Sequence, residues 1–378
     1  MKIVIAPDSF KGSCTTIEVA DRIEKGIKKI YPMADIVKIP IADGGEGTVE
    51  ALVLGAGGEY REKEVIGPLG ETLIGKYGIL NSGVAVLELA SASGLPSVPL
   101  DKRNPLITTS YGTGQLLLAA IDEGCSKIVI GLGGSATNDG GIGLAQALGV
   151  SFLNAQGKEL GFGGGELADL VKIDTSKLDP RVENCEIIIA SDVKNPLCGD
   201  TGASAIFGPQ KGATPELVKL LDQNLMHYAR VIKEQLGQDV ADIPGAGAAG
   251  GASVALLVFA NAKIESGVET VLDTAGADTH FKDANLVITG EGRIDYQSIY
   301  GKVPVGVGLR AKKYGLPVLA IVGGIGPGAA DVYDYGVDAI ISIIDNAMPL
   351  SEAMSNAGDL IENTAERAMR ILQLGKST

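Results

Sequence analysis

The sequence predicts an α/β protein: a Rossmann-like domain with an open parallel sheet formed by both chain ends, and an inserted second domain of mixed α/β type. Three observations point there. Short continuous apolar runs followed by amphipathic helical stretches occur at both ends of the chain, whereas hairpin-spaced strands with Gly-Pro and Asn-Ser-Gly turns occupy its middle. Neither end alone holds enough strands for a parallel sheet, so the two ends are expected to combine. The boundaries are residues 1–60 plus 282–378 for the Rossmann-like domain and 61–281 for the insert, with an active site expected in the crevice between them. A length of 378 residues agrees with about two domains at roughly 150 residues each.

In chain order, residues 2–6 form a buried strand, too short to be a secretory apolar segment. Thr15 with Glu18 three residues later makes a capping box ahead of the stripe Ile17, Ala20, Ile23, Ile27 and Ile30, and Pro32 marks the exit. A second strand, 36–41, leads into Ala42-Asp43-Gly44-Gly45-Glu46-Gly47-Thr48 and a short helix. Residues 61–66, 72–79 and 84–90 are strands at hairpin spacing, a layer separate from the parallel ends. The insert continues with strands at 127–131 and 186–190, a helix from Pro215 to a stop at Gly237, and a core helix across 252–262. The βα grammar then returns: strand 285–289, helix 302–314, strands 317–322 and 338–344, and a long terminal helix from Ser351.

Composition excludes several functions. A formal net charge of −14 would repel a phosphate backbone, so nucleic acid is not an expected partner. With only His227 and His280, both in polar stretches, histidine catalysis and histidine-ligated metals are poor fits. Cys14, Cys125, Cys185 and Cys198 show no CxxC spacing and are too sparse for a disulfide framework, which fits a reducing cytoplasm and leaves them as packing residues. No apolar run reaches the ~18 residues of a membrane span, so the chain is expected to be soluble. The 53 glycines, about twice the usual ~7% share, indicate many turns that need backbone freedom.

The glycine loops carry the first functional signal. Gly131-Leu132-Gly133-Gly134-Ser135-Ala136 follows a strand and precedes a helix, as a dinucleotide fingerprint would, but no acid stands about 20 residues on to hold a ribose. Gly245-Ala246-Gly247-Ala248-Ala249-Gly250 matches too, but is not preceded by a strand, and a Walker A loop is absent. What remains at 133–141 is Gly133-Gly134-Ser135-Ala136-Thr137-Asn138-Asp139-Gly140-Gly141 opening a helix. It can be read as an anion cradle of amides and hydroxyls at a helix start, or as a tight turn packed against a neighbouring strand.

Carboxylates and cations form the second signal. Asp8-Ser9-Phe10-Lys11 ends the first strand, Asp43 and Glu46 end the second, and Glu291-Gly292-Arg293-Ile294-Asp295 ends the strand from residue 285. Strand ends of an open parallel sheet share one crevice, so these loops should converge. Any one acid could be a helix cap. Several acids gathered with Lys11 and Arg293 would repel unless a cation or bound anion offset them, and metal-nucleotide chemistry supplies both. In the insert, Asp192 follows the strand 186–190 as a candidate base or metal ligand, and Lys211 is either an anion ligand or a solvated loop lysine. Lys302 stands at a helix start, where a cation favours an anionic partner.

Taken together, 5–13, 42–48, 131–141, 191–199, 207–213, 245–251 and 289–295 resemble the bacterial type 1 glycerate kinases, in order and along nearly the whole chain. Cys14 stands where an apolar Leu would be expected, a small departure. The resemblance implies ATP-dependent phosphorylation of D-glycerate on the 2-hydroxyl to 2-phosphoglycerate, by a two-domain α/β enzyme unrelated to P-loop kinases. Chemistry then assigns roles. Lys11 and Arg293, with Ser9, take the substrate carboxylate and the transferring phosphoryl group, and Asp295 and Lys302 complete the substrate set. Gly133, Gly134, Ser135, Thr137, Asn138, Asp139 and Gly140, with Lys211, take the ATP phosphates; Asp43, Glu46 and Glu291 take Mg²⁺, directly or through water. Asp192 is the first choice to activate the hydroxyl, with Asp8 second. The 3-phosphoglycerate product, an NAD-dependent hydroxy-acid dehydrogenase and a ligand-binding protein stand as rivals, and the oligomeric state, a homodimer included, is left open.

Overall fold

The computed structural model describes residues 1–41 and 47–375. Its strands are β1 (Lys2–Pro7), β2 (Asp35–Lys38), β3 (Gly58–Ile66), β4 (Thr72–Leu80), β5 (Ala85–Glu88), β6 (Lys127–Gly131), β7 (Ser151–Leu153), β8 (Lys172–Asp174), β9 (Glu186–Ala190), β10 (Lys263–Glu265), β11 (Leu286–Ile294), β12 (Val318–Ile325) and β13 (Ala339–Ser342). The chain divides into two compact units. One comprises Met1–Asp43, Glu50–Gly57 and Val268–Thr378; the other comprises Gly44–Val49 and Gly58–Gly267.

The first unit is built on a five-stranded sheet, β13-β12-β11-β1-β2, in which every neighbouring pair is parallel. Such a sheet is covered on both faces, and β1 accordingly buries Ile3, Val4, Ile5 and Ala6 completely instead of alternating. The helix Thr16–Ile30 starts as its sequence demands: Thr15 Oγ1 accepts from Glu18 N–H at 3.2 Å, and the Glu18 carboxylate accepts from Thr15 N–H at 2.8 Å. Its stripe Val19, Ala20, Ile23 and Ile27 packs in one core with β1, β11, β12 and the C-terminal helix Ala357–Gly375. The two helices approach closely at Gly26, where a Cβ would lie 2.3 Å from the Glu362 carbonyl oxygen. Arg22 bonds Asp359 at 2.7 Å and Lys29 bonds Glu362 at 2.7 Å across the same pair.

Two expectations need adjustment here. The strand expected to stop at residue 289 runs to Ile294, because β12 continues beside it, pairing Arg293 with Gly324 and Ile294 with Ile325. Glycines permit this: a Cβ at Gly323 would sit 2.3 Å from the Gly292 carbonyl oxygen. The single terminal helix is two, Leu350–Ser355 and Ala357–Gly375, with Asn356 capping the first.

The second unit carries a six-stranded mixed sheet, β10-β9-β6-β5-β4-β3. Its β3-β4-β5 portion is antiparallel and its β5-β6-β9-β10 portion parallel, so the hairpin strands form a sheet apart from the first unit's and continue into parallel pairing. The helix Pro215–Leu236 is capped by Thr214, which accepts from Leu217 N–H at 3.3 Å, and ends at Gly237 with φ +72°. It buries Leu221, Leu225, Tyr228 and Ile232, and Phe152 of the β7–β8 hairpin meets both Tyr228 and Phe259 edge-on.

On an open helix face Gly26→Ala would stabilise by about 1 kcal/mol through helix propensity. Here the clash with a backbone carbonyl outweighs that gain, and a net loss of about 1–3 kcal/mol is expected. Urea unfolding of Gly26→Ala should therefore show a lower midpoint than the parent protein; a higher midpoint would contradict the close helix approach.

Candidate active site

Sheet topology decides where chemistry can sit in the first unit. Counted from the β2 edge, the strands stand in the chain order 2-1-3-4-5, so connections leave β1 and β11 toward opposite edges. That seam is the switch point at which ligands bind doubly wound sheets, outside the carboxyl ends of the strands. Asp8 continues β1 there, its N–H donating to the Gly290 carbonyl at 2.8 Å, and its Oδ1 accepts from Ser9 N–H at 2.6 Å. Phe10 is buried and exchanges backbone hydrogen bonds with Cys14, which pins the loop and leaves Lys11 exposed at its tip. A Cβ on Gly292 would reach Phe10 Cα at 3.5 Å, so this loop lies directly against β11.

β11 supplies the partner set. Glu291 is only 5% exposed; one of its oxygens accepts from Ser298 Oγ at 2.6 Å and the other lies 3.2 Å from the Lys302 ammonium. Burial raises the Glu291 pKa, with Ser298 and Lys302 opposing. Asp295 accepts from Gln297 N–H at 3.0 Å, stands 3.9 Å from Lys302 and 3.4 Å from the largely exposed Arg293. The anion facing Lys302 at its helix start is therefore Glu291, with Asp295 next. Ser298, fully buried, was missed by sequence reasoning; nothing in its spacing from Glu291 announces it.

Asp43 and Glu46 lie outside the described residues. Among the described residues, no three Asp, Glu, His or Cys side chains gather to hold a metal, and Glu291 meets a hydroxyl and an ammonium instead. Of the Mg²⁺ set expected on Asp43, Glu46 and Glu291, only Glu291 lies among the described residues.

In the second unit the loop after β6 divides sharply. Gly134 is exposed and Gly133 partly so, whereas Ser135, Thr137, Asn138, Asp139 and Gly140 are buried. Asp139 Oδ2 accepts from Ser110 N–H at 2.9 Å and Ser110 Oγ at 2.8 Å, and its Oδ1 accepts from Gly141 N–H at 3.0 Å; burial nonetheless raises its pKa. Asn138 donates to Ser204 Oγ at 3.0 Å, and Gly140 N–H donates to the Gly250 carbonyl at 3.0 Å. Gly250, at φ +67°, would place a Cβ 2.0 Å from the Thr137 carbonyl. The second glycine motif thus packs against residues 137–140, just beyond the first. Ser110 was also missed, although the hydroxyl run Thr108-Thr109-Ser110 just ahead of the helix Tyr111–Asp122 is a legible signal.

Lys211 is not a solvated loop lysine. It is 1% exposed, and its amine donates to Ser135 Oγ at 2.8 Å and the Thr137 carbonyl at 2.6 Å. Burial lowers its pKa to about 7, against the raising effect of Asp139. Asp192 follows β9, partly buried, where Ser191 N–H donates to the Glu265 carbonyl at 3.0 Å.

The first unit thus has a doubly wound sheet with acids and cations at its switch point, and the second a glycine loop braced by a buried lysine, an arrangement compatible with a phosphotransferase that lacks a Walker A loop. The comparisons with known proteins carry this to a family. Residues 3–373 match the model of the glycerate kinase family, so the chain belongs to that family and is an enzyme of it. It is 52% identical to glycerate 2-kinase of Escherichia coli over 99% of both chains. It is 50% identical to glycerate kinase of Halalkalibacterium halodurans over 100% of this chain and 99% of the other. A crystal structure from Salmonella typhimurium LT2, named as a glycerate kinase 2, superposes with TM-score 0.88 at 48% identity, covering 100% of this chain and 99% of that one.

Lys302→Ala would leave Glu291 buried without its cation. The ammonium is partly exposed, so a loss of about 1–3 kcal/mol is expected at pH 8, below the range for fully buried pairs. A carboxyl whose folded pKa is raised carries its penalty when ionised, and the penalty fades as pH falls toward its unfolded value. The thermal midpoint deficit of Lys302→Ala should therefore shrink between pH 8 and pH 5, and Glu291→Gln in the same chain should abolish it. A deficit independent of pH would contradict the pairing.

Proposed function

We propose that this enzyme transfers the γ-phosphoryl group of Mg-ATP to the 2-hydroxyl of D-glycerate, giving 2-phosphoglycerate and ADP. The observation that carries the reading is the set at the β1/β11 switch point, where Lys302 and Arg293 are held by Glu291 and Asp295 beside the Asp8–Lys11 loop. Glycerate is a small anion whose carboxylate needs cations and whose hydroxyl must be presented to phosphorus. Lys302 is aimed by Glu291 and Arg293 by Asp295, while Lys11 and Ser9 approach from the loop. The nucleotide's phosphates fall to the exposed turn at Gly133 and Gly134, and the magnesium ion arrives as part of the nucleotide substrate, with Asp43 and Glu46 as its protein contacts.

Transfer is in line. The 2-hydroxyl oxygen attacks the γ-phosphorus, the bond to the β–γ bridging oxygen breaks, and ADP leaves with that electron pair. The hydroxyl proton passes to a carboxylate, Asp192 first and Asp8 second. Positioning and charge neutralisation supply most of the acceleration, since this chemistry asks little covalent work of the protein. The four cysteines are free thiols, which supports a reducing, cytoplasmic setting.

Product regiochemistry is read by coupling the reaction directly to enolase, which accepts 2-phosphoglycerate. Purified protein with Mg-ATP and D-glycerate should give enolase product without added phosphoglycerate mutase. A signal only with mutase would mean 3-phosphorylation, and no ATP loss would defeat the reading. Asp192→Asn should lower kcat by about 10²–10⁴ with the unfolding midpoint kept, the range general-base removal produces; wild-type turnover would pass the role to Asp8.

A further inference from the structure

Lys211 presents a physical puzzle. A fully buried ammonium costs several kcal/mol that a methionine of similar volume would avoid, and its pairing with Ser135 Oγ and the Thr137 carbonyl leaves no part of it for a ligand to touch. It is nevertheless held firmly. The turn that carries it ends at Gly212, φ +95°, where a Cβ would lie 2.3 Å from the Arg103 carbonyl, and the Arg103 guanidinium donates to the Gln210 carbonyl at 3.2 Å. Its two bonds span residues 135 and 137 of the loop whose exposed tip is Gly133–Gly134.

We infer that Lys211 is a positioning residue for nucleotide binding: it fixes the Ser135 hydroxyl and carbonyl 137 and sets a sealed positive charge behind the tip of the phosphate loop. This rests on the reading that residues 133–135 meet the nucleotide's phosphates. As an ammonium, Lys211 donates to Ser135 Oγ, so the Ser135 proton points elsewhere and can serve an incoming anion. As a neutral amine it has a lone pair that can accept that same proton, and the charge behind the loop is lost. The charged group that acts on it is Asp139 on the loop, which also acts on the buried Tyr228 of the helix Pro215–Leu236, while the Arg103 guanidinium bonds the neighbouring Gln210 carbonyl. Asp139 already takes two backbone amides and a hydroxyl, so it compensates Lys211 only in part.

The sign of the pH dependence follows from linkage. Burial brings Lys211 to about 7 without ligand, and a bound polyphosphate favours its charged form. Nucleotide affinity is full below that value and weakens as pH rises through it.

The test measures KM for Mg-ATP and for D-glycerate separately between about pH 7.5 and 9, where the nucleotide phosphates have finished titrating. In the wild-type enzyme the nucleotide KM should rise toward tenfold per pH unit while the glycerate KM stays level. Lys211→Met should raise the nucleotide KM at least about tenfold at pH 7 and flatten its profile. Wild-type nucleotide KM in Lys211→Met, or a level wild-type profile, overturns the proposal; the second arm needs no variant and stands even if Lys211→Met fails to fold. Gly133→Val separates the two claims. If it leaves the nucleotide KM unchanged, the loop is not the phosphate site; if it raises that KM while Lys211→Met does not, the loop reading stands and the role of Lys211 alone falls.

Discussion

The parallel ladder between β1 and β11 is the interaction on which the first unit depends. Ile3 through Pro7 pair with Leu286 through Gly290, joining segments 283 positions apart, and Thr289 Oγ1 adds a buried bond to the Ala6 carbonyl at 2.8 Å. Without it the sheet splits into the pair β1-β2 and the triplet β11-β12-β13, and the two-stranded piece is too small to stand alone. The same ladder sets the chemistry. By fixing Ala6 opposite Thr289 and Pro7 opposite Gly290 it places the Asp8 loop beside Glu291, and the reversal of strand order at that seam sends the two loops apart and leaves a crevice where they emerge. Such a long-range closure is entropically costly and slow to find, a burden that the local cap and stripe of the Thr16–Ile30 helix partly offset.

The second unit solves a different problem. Its loop at 133–141 is held by buried polar groups: Thr108 on carbonyl 136, Ser110 on Asp139, Asn138 on Ser204 and Lys211 on Ser135 and carbonyl 137. Polar networks at this depth are stable only when their members are satisfied, and their yield is rigidity. A loop proposed to offer amides to a charged ligand gains from being fixed beforehand, because little ordering cost is left to meet on binding.

Local patterns made the fold legible. The capping box at Thr15 and Glu18, Pro215 and Gly237 bounding the longest helix, and the hairpin turns between β3, β4 and β5 each have a physical cause confined to a few residues, and each lies where the sequence places it. Non-local effects were not legible in the same way. That β11 runs through two glycines to Ile294 depends on β12 alongside it, and a strand as short as Lys263–Glu265 exists only because β9 pairs with it. The site shows the same divide. Glu291, Asp295 and Lys302 could be singled out by type and place, but the Glu291–Lys302 pairing, the Ser298 bond and the burial of Lys211 arise from tertiary packing. Of residues 133–141, Ser135 through Gly140 are packed as the tight-turn reading expects, while Gly133 and Gly134 stay accessible.

The central claim is that the β1/β11 switch point receives the acceptor substrate. A crystal structure of the enzyme with D-glycerate tests it most directly. The account expects the glycerate carboxylate within hydrogen-bond distance of Lys302, Arg293 or Lys11, at the carboxyl ends of β1 and β11. Glycerate bound elsewhere on the chain, with those three side chains untouched, would contradict it.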